Sequence, residues 1–177
     1  GSKIVVDVRC QPSEELLEGM RTGRYDLIVF TQGTHHEFGE LFRTERMFWV
    51  ASQGGESLAQ EPLPIAGGIN CCWRENAVEA LNRIGRDYRI AYTSSNATAI
   101  SSAVLADLAI GFLPESALQP GMQVISEAPG LPRLRDAQIA LRRASHAYGG
   151  IYDALARHIV ENMGNLDDGE PAAAAAE

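Results

Sequence analysis

Residues 89–114, RIAYTSSNATAISSAVLADLAIGFLP, contain the pattern that decides the fold. Arg89–Thr93 carries apolar and β-branched side chains and predicts a strand. Apolar residues then recur at helical spacing, which predicts a helix over residues 97–108. Ala109–Pro114 is an apolar run that a proline ends, and it predicts a second strand. A strand, a helix and a strand in this order indicate a βαβ unit.

The same alternation extends to both sides of this unit. Further strands are predicted at residues 4–8, 26–31, 47–51, 64–66, 124–125 and 139–141, and further helices after Pro12, near residues 77–84 and over 150–163. In the first of these helices Ser13 is the expected N-cap and Gly23 the glycine that follows the last turn. The chain is therefore predicted to be an α/β protein with mostly parallel sheets.

Two turn-rich breaks, at residues 53–57 and near 129–132, divide the chain. Each outer piece is too thin for a core of its own, whereas the middle piece has a complete βαβαβ pattern. We therefore predict one lobe from residues 1–52 plus 133–163, a second lobe from 53–132, and a flexible acidic, alanine-rich tail over 164–177. Two crossings between lobes make a hinge, and the cleft between two α/β lobes is a common ligand site.

Composition limits the function. The 177 residues contain 15 basic and 23 acidic side chains, so the formal net charge is −8. Such a surface repels DNA on average, which excludes histone-like and ribosomal functions and argues against direct nucleic-acid contact by this chain. The 3 cysteines do not form a disulfide framework, because two of them are adjacent, and this favours a reducing cytoplasm. No apolar run reaches the length of a membrane span, and a start at Gly-Ser without Met predicts an excised fragment.

Four stretches occur in an order that resembles the C-terminal effector-binding domain of LysR-type transcriptional regulators. Residues 13–27, SEELLEGMRTGRYDL, resemble its S-x-x-L-x-x-x-L-x-x-G-x-x-D-L stretch. Residues 71–81 resemble its C-x-aromatic-R…A-L segment, residues 104–114 its V-x-A-G-x-G-x-x-x-L-P segment, and Leu131-Pro132 its return crossing. The resemblance covers roughly residues 3–163. It implies two Rossmann-like lobes with a hinge and an interlobe cleft, a fold like that of type 2 periplasmic binding proteins.

The chain departs from the family in two respects. Asp107 and Ala109 stand where the family usually has glycines. Asp tolerates the left-handed conformation that a helix end requires, whereas Ala109 indicates a different turn. The family also has another strand and helix before residue 3, and its winged helix-turn-helix lies further upstream. The resemblance thus implies that the DNA-binding part is outside this chain and that the pocket is incomplete here.

The candidate effector-binding residues lie at the ends of predicted strands. They are Thr31, Gln32, Gly33, Trp73, Arg74, Ser94, Ser95, Asn96 and Thr98. The loop of residues 94–98 leads into a helix N-terminus, where backbone N–H groups and the helix dipole favour an anion, and the resemblance implies that it contacts the effector. Arg74 is a candidate carboxylate ligand, and Trp73 a candidate apolar wall.

Each of these residues also has a structural alternative. Ser95 or Asn96 is expected as a helix N-cap in any case. Residues 31–33 would otherwise be an ordinary loop and Trp73 a core residue. The alternative for Arg74 is a surface ion pair with Glu75 or Glu79.

Other reactive residues have weaker signals. Cys71 and Cys72 suggest redox sensing, but buried, inert cysteines are commoner. His35, His36 and Glu37 look metal-binding, yet no further ligands follow at a zinc-site spacing. No catalytic motif or cofactor fingerprint occurs, so no catalytic residue, metal or cofactor is predicted.

We therefore predict the effector-sensing domain of a LysR-type regulator, not an enzyme, in the cytoplasm. A small molecule in the cleft, with a carboxylate suggested by Arg74, would change the oligomer geometry and the DNA binding of the full-length protein. The resemblance implies a homodimer or tetramer, with the helix that begins near Ser13 at the interface. The alternatives are a solute-binding module of the same fold and a bilobal enzyme.

Overall fold

The computed structural model describes residues 5–33 and 39–164. The helices are α1 (Ser13–Arg21), α2 (Cys72–Arg83), α3 (Ala97–Leu105) and α4 (Gly150–Met163). The strands are β1 (Leu27–Gln32), β2 (Glu40–Glu45), β3 (Met47–Ser52), β4 (Leu63–Gly68), β5 (Tyr88–Ser94), β6 (Gly111–Pro114), β7 (Met122–Val124) and β8 (Ala137–Arg143). Short 3₁₀ turns cover Ser57–Ala59 and Glu115–Ala117.

The first sheet joins the two ends of the chain. Its strand order is β1-β8-β2, and β8 runs antiparallel to both neighbours. Helix α1 covers one face of this sheet, because Leu17 and Met20 recur at helical spacing and pack with Ile28, Phe30 and Ala140. The segment after the second predicted break therefore returns to pair with β1 and β2, which both precede the first break.

The second sheet is built from the middle of the chain. Strands β4 and β5 are parallel, and an isolated parallel bridge between Ile65 and Ile110 connects β4 to the beginning of β6. Strand β3 lies between β6 and β7 and is antiparallel to both. The strand order is thus β5-β4-β6-β3-β7, with α2 and α3 packed against it.

Trp49 connects the two crossings of the chain. Its side chain in β3 is completely buried and lies edge-on to Phe112, with 5.9 Å between ring centroids. Its indole Nε1 donates a hydrogen bond of 2.7 Å to the carbonyl oxygen of Pro132. The outgoing strand and the returning segment are therefore held at one point by a side chain in the core.

The α/β class is confirmed, but the prediction of mostly parallel sheets is wrong. Only β4, β5 and the start of β6 run parallel among the described strands, and the pairs of β3 and β8 are antiparallel. Continuous apolar runs such as residues 27–30 indicate a strand that is buried on both faces of a sheet. They do not report strand direction, which depends on where distant segments return.

The predicted strand at residues 4–8 does not form in the described residues of that range. Val5, Val6 and Val8 are exposed to 84%, 54% and 82%, and no strand of the described chain pairs with them. β-branched composition favours an extended backbone but supplies no neighbour for its hydrogen bonds. The alternation of strands and helices predicted for the start of the chain therefore lacks its first strand among the described residues.

The expected N-cap role of Ser13 is also wrong. Pro12 occupies the N-cap position, and Ser13 is the first helical residue. The Ser13 hydroxyl instead accepts a hydrogen bond of 3.1 Å from the backbone N–H of Thr31, at the end of β1. The C-terminal prediction for the same helix is confirmed, since Gly23 has a φ of 72°.

Three local features complete the comparison with the predicted elements: the residues between β1 and β2, strand β2 itself and the end of α3. Gln32 ends β1, and residues 34–38 lie outside the described chain, together with the candidate metal ligands at 35–37. Strand β2 was not predicted, because its polar sequence, ELFRTE, lacks clear alternation. The predicted helix over residues 97–108 ends earlier, at Leu105.

The division into lobes 1–52 plus 133–163 and 53–132 stays a prediction. Strand β3 pairs with strands of the middle segment, although the predicted boundary places it in the outer lobe. The tail after residue 164 lies outside the described part of the chain. Among the described helices, none combines the length and apolarity needed to cross a bilayer.

Candidate functional site

The parallel strands β4 and β5 end side by side, and two helices begin at this edge. Gly68 lies opposite Ser94 in the strand register, so the carboxyl ends of both strands share one side of the second sheet. Helix α2 begins at Cys72 and α3 at Ala97, directly beyond that side. We call this place the carboxyl edge. Six predicted residues belong to it: Trp73, Arg74, Ser94, Ser95, Asn96 and Thr98.

The start of α3 is organised by a local hydrogen-bond chain. The Ser94 hydroxyl accepts from the backbone N–H of Asn96 at 3.0 Å, and the Asn96 side-chain oxygen accepts from the N–H of Thr98 at 2.9 Å. Asn96 is thus the N-cap, as one alternative expected. Ser95, Asn96 and Thr98 are exposed, so capping leaves their polar groups accessible from solvent beside the positive end of the helix dipole.

Two glycines allow α2 to begin very close to the end of β4. A Cβ atom at Gly67 would lie 2.4 Å from Cζ of Phe112 and 3.3 Å from Cδ of Arg74. A Cβ atom at Gly68 would lie 2.9 Å from Cβ of Cys71. Any side chain at Gly67 would therefore collide with the core ring or push Arg74 away. From the sequence, Gly67-Gly68 indicated only a turn; a glycine pair between a predicted strand and helix was the available signal.

Trp73 takes the core position that its structural alternative expected, whereas Arg74 does not form the ion pair that its alternative expected. The Trp73 ring packs against the main core cluster, as its core alternative expected, although its buried indole Nε1 has no hydrogen-bond partner in the described chain. Neither expected partner pairs with Arg74: Glu79 forms its ion pair with Arg135 at 2.7 Å, and Glu75 is exposed. Within the described residues the Arg74 guanidinium has no carboxylate partner, so its charge is available at the carboxyl edge.

Cys71 and Cys72 have thiols of opposite acidity. The neighbouring Cys72 thiol, the backbone N–H groups of Arg74 and Trp73, and the charge of Arg74 hold the pKa of Cys71 well below its ordinary value, although burial opposes them. The same hydrogen bond, seen from its donor, raises the pKa of Cys72, and burial raises it further. Cys71 is therefore the more acidic thiol of the pair.

The remaining predicted residues lie on the other sheet. Thr31 and Gln32 end β1, where the Thr31 N–H donates to Ser13 and the Gln32 side-chain oxygen accepts from the N–H of Gly39 at 3.3 Å. Gly33 follows directly and is half-buried. No hydrogen bond within the described chain joins these three residues to the carboxyl edge. The structure thus gathers six of the nine predicted residues and leaves three at the end of β1.

A concave region lies on the first sheet, away from the carboxyl edge. It is an open depression of about 520 Å³, lined by Gly39, Glu40, Leu141, Arg142, Arg143 and Tyr148. It contains none of the predicted site residues. Across the described residues, no group of three or more His, Cys, Asp and Glu side chains is placed to hold a metal ion.

Comparison with known proteins identifies the family. The family model described as the LysR substrate binding domain matches residues 2–159. The HTH-type transcriptional regulator DgdR of Burkholderia cepacia is 28% identical over 156 residues, which are 88% of this chain and 53% of that protein. The chain thus spans about half the length of the curated relatives it matches.

Solved structures show the same fold. The apo regulatory domain of HypT from Salmonella typhimurium superposes with a TM-score of 0.73 at 16% identity, covering 92% of this chain and 84% of that domain. The effector-binding domain of QuiR in complex with shikimate gives a TM-score of 0.64 at 12% identity, covering 86% and 78%. These matches confirm the predicted fold, which resembles that of type 2 periplasmic binding proteins. With its strand order, its two crossings and a family model that spans nearly the whole described chain, this protein belongs to the LysR substrate-binding domain family.

Proposed function

We propose that this chain is the effector-sensing part of a LysR-type transcriptional regulator and binds a small anionic molecule at the carboxyl edge. It acts by binding and not by catalysis, in the cytoplasm. The full-length protein would contact DNA through a helix-turn-helix outside this chain, since a net charge of −8 disfavours direct contact by the chain itself.

The observation that carries this proposal is Arg74, which has no carboxylate partner in the described chain and lies at the edge where α3 also begins. An arginine can hold a carboxylate through two parallel hydrogen bonds, and within the described chain no acidic side chain occupies Arg74. The exposed polar groups of Ser95, Asn96 and Thr98 lie at a helix N-terminus, where the dipole also favours an anion. Both features favour a carboxylate. The similar QuiR domain, solved with shikimate, supports a small organic ligand.

We further propose that Thr31, Gln32 and Gly33 form the opposite wall of the cleft. They lie at the end of β1 in the first sheet, whereas the carboxyl edge belongs to the second sheet. A ligand that touches both walls binds the closed arrangement of the lobes better than the open one and shifts the population toward closure. The crossings near β3 and Pro132, joined by the Trp49 hydrogen bond, would be the hinge.

The assembly that transmits this change is proposed to be a homodimer or a tetramer. Helix α1 turns three acidic side chains, Glu14, Glu15 and Glu18, to solvent, and the exposed Val5, Val6 and Val8 precede it along the chain. A second copy of the chain would cover these side chains. Closure of the cleft would then alter the spacing of the DNA-binding parts and thus the affinity for DNA.

A thermal-shift screen of this chain against small aliphatic acids, aromatic acids and amino acids tests the binding site. We expect at least one carboxylate to raise the melting temperature in proportion to its concentration. Arg74→Ala and Asn96→Ala should each weaken that ligand by about tenfold, which corresponds to about 1.4 kcal/mol. Arg83→Ala, at the far end of the same helix α2, is the matched control and should bind as the unaltered chain does.

Two results would contradict this binding site. Equal affinity in the unaltered chain and in the double variant Arg74→Ala/Asn96→Ala would show that the ligand binds elsewhere. A preference for cationic or uncharged ligands throughout the screen would refute the assignment of Arg74 as the anchoring group.

A further inference from the structure

A buried acidic side chain, Glu45, lies where the chain passes from the first sheet to the second. It is the last residue of β2, and β3 begins two residues later, at Met47. In the register of the first sheet Glu45 lies opposite Ala137, the first residue of β8. Both crossings of the chain therefore pass beside Glu45. A carboxylate is seldom buried unless it is paired, so its contacts show what holds it at this point.

The two carboxylate oxygens of Glu45 bind groups from different sheets. Oε1 pairs with Nε of Arg43 at 2.9 Å, within β2 of the first sheet. Oε2 accepts a hydrogen bond of 3.1 Å from the backbone N–H of Ser116, in the 3₁₀ turn that follows β6 of the second sheet. Nη1 of Arg43 donates to the carbonyl oxygen of Met163, the last residue of α4, at 3.0 Å. We call these contacts the Glu45 bridge, since one carboxylate joins the two sheets.

The Glu45 bridge is formed in an arrangement that leaves the carboxyl edge open. Ser95, Asn96 and Thr98 are exposed to solvent at that edge. Their hydrogen bonds in the described chain stay within the start of α3, and those of residues 31–33 stay within the first sheet and α1. The described arrangement is therefore the open one for the cleft proposed above.

Closure of the cleft would strain the Glu45 bridge. Arg43 and Glu45 move with the first sheet, whereas Ser116 follows β6, whose last residue pairs with Met47 in the second sheet. Only Arg46 separates β2 from β3, so a rotation of one sheet against the other about this residue shifts the carboxylate relative to the Ser116 N–H. A hydrogen bond weakens steeply once its alignment is lost. The bridge thus stabilises the open arrangement relative to a rotated one.

We propose that Glu45 is a positioning residue that holds the lobes in the open arrangement and thereby sets the affinity of the cleft for its ligand. This inference deepens the proposed function and rests on it, because it takes the ligand to favour closure. Part of the binding free energy is then used to break the Glu45 bridge. The observed affinity is therefore lower than the affinity of the closed arrangement itself.

Residual dipolar couplings of the backbone amides test the Glu45 bridge without any ligand. Couplings from one weakly aligning medium are fitted separately to the two sheets, which gives their relative orientation and the motion between them. We expect one shared alignment tensor for the unaltered chain. Glu45→Gln should give two different tensors, because its single side-chain oxygen cannot serve both Arg43 and Ser116.

Two control variants leave the Glu45 bridge intact. Ser116→Ala keeps the backbone N–H that donates to Glu45, and Asp153→Asn removes an ion pair of 2.7 Å with Arg143 that joins β8 to α4. Both should give the couplings of the unaltered chain. Arg43→Lys keeps the positive charge but loses the planar donors that reach both Glu45 and Met163, so it should change the couplings less than Glu45→Gln and in the same direction.

Isothermal titration calorimetry measures the effect on affinity, with the carboxylic acid that gives the largest thermal shift in the screen above. Glu45→Gln should bind this acid about threefold to tenfold more tightly, because a hydrogen bond to a charged group is lost from the open arrangement alone. Asp153→Asn should bind it as the unaltered chain does. A loss of stability without reorientation would not tighten binding.

Unchanged couplings in both Glu45→Gln and Arg43→Lys would overturn the Glu45 bridge as the contact that holds the sheets. Equal or weaker binding in a variant whose couplings have changed would overturn its control of affinity. If no acid in the screen binds the unaltered chain, the proposed function fails, while the couplings still decide whether Glu45 fixes the lobes.

Discussion

Asp107 shows how one residue can meet a local requirement and a distant one together. It stands after α3 with a φ of 53°, the left-handed conformation that its sequence position predicted. Its carboxylate also accepts hydrogen bonds from the backbone N–H groups of Glu56 at 2.7 Å and Ser57 at 3.1 Å. A Cβ atom at Gly55 would lie 2.3 Å from this carboxylate, so a glycine there lets the loop approach. Asp107 thus holds the loop after β3 to the end of α3.

These contacts make the contribution of Asp107 to the stability of the fold depend on pH. The N–H of Glu56, then the contacts of Ser57, hold the pKa of Asp107 below its ordinary value. Because the folded-state pKa is the lower one, the stabilisation is complete above the unfolded value of about 3.9 and disappears as the pH falls through the folded value. Asp107→Asn should lower the free energy of unfolding by about 1 kcal/mol at pH 7. This is similar to the cost of removing a helix N-cap, and solvent around the partly exposed carboxylate keeps it from being larger.

Urea unfolding at neutral and acidic pH measures this contribution. The difference between the unaltered chain and Asp107→Asn should shrink below about pH 4, where the unaltered carboxylate gains its proton. Exposed Asp136, replaced by Asn, is the control and should change the unfolding energy little at either pH. A difference that grows toward acid would contradict the assigned direction.

At the scale of secondary-structure elements, the Asn76 amide joins α2 to the returning segment, beside the ion pair between Glu79 and Arg135. The Asn76 side chain donates to the carbonyl oxygen of Arg135 at 2.8 Å and accepts from its N–H at 3.2 Å. Asn76 is buried, so it satisfies two backbone groups that water reaches poorly. This pair of hydrogen bonds positions the start of α2, and therefore Arg74, relative to the second crossing.

Replacing Asn76 should thus affect both stability and the site. Asn76→Ala leaves two backbone groups of Arg135 without partners and should lower the free energy of unfolding by about 1–3 kcal/mol. Asn82→Ala on the exposed face of α2 should cost less than about 0.5 kcal/mol. Denaturant titration of the two variants checks the difference, and equal losses would refute a special role for Asn76.

At the scale of the whole molecule, the valines before α1 expose apolar surface that a second protein chain could cover. Val5 and Val8 each expose more than four-fifths of their surface. If a second copy covers them, Val8→Asp should convert a dimer of this chain into monomers, because a charge would be buried without a partner. Ile84→Asp, at an exposed apolar position beyond the end of α2, should leave the dimer intact.

Sedimentation velocity at several protein concentrations distinguishes these cases. A chain that is monomeric before any substitution would refute the proposed interface. A dimer that survives Val8→Asp but not Ile84→Asp would place the interface on the second sheet.

The sequence by itself determined the features that depend on neighbours a few residues apart. Helical spacing predicted α4 over its full length, Gly23 and Asp107 predicted their left-handed turns, and Asn96 was one of two residues expected to cap α3. The order of four motifs identified the family. For the helix, the turns and the cap, the deciding interaction is between residues a few positions apart, so the local sequence is enough to predict it.

Only the tertiary structure decided which distant segments meet. Burial favours apolar strands in either direction, so the sequence did not show that β8 returns antiparallel between β1 and β2, or that β3 joins the second sheet. The partner of Glu79 is Arg135, a residue far along the chain, and this pairing leaves Arg74 available at the carboxyl edge. Which charges are paired depends on distances in space that spacing along the chain does not contain.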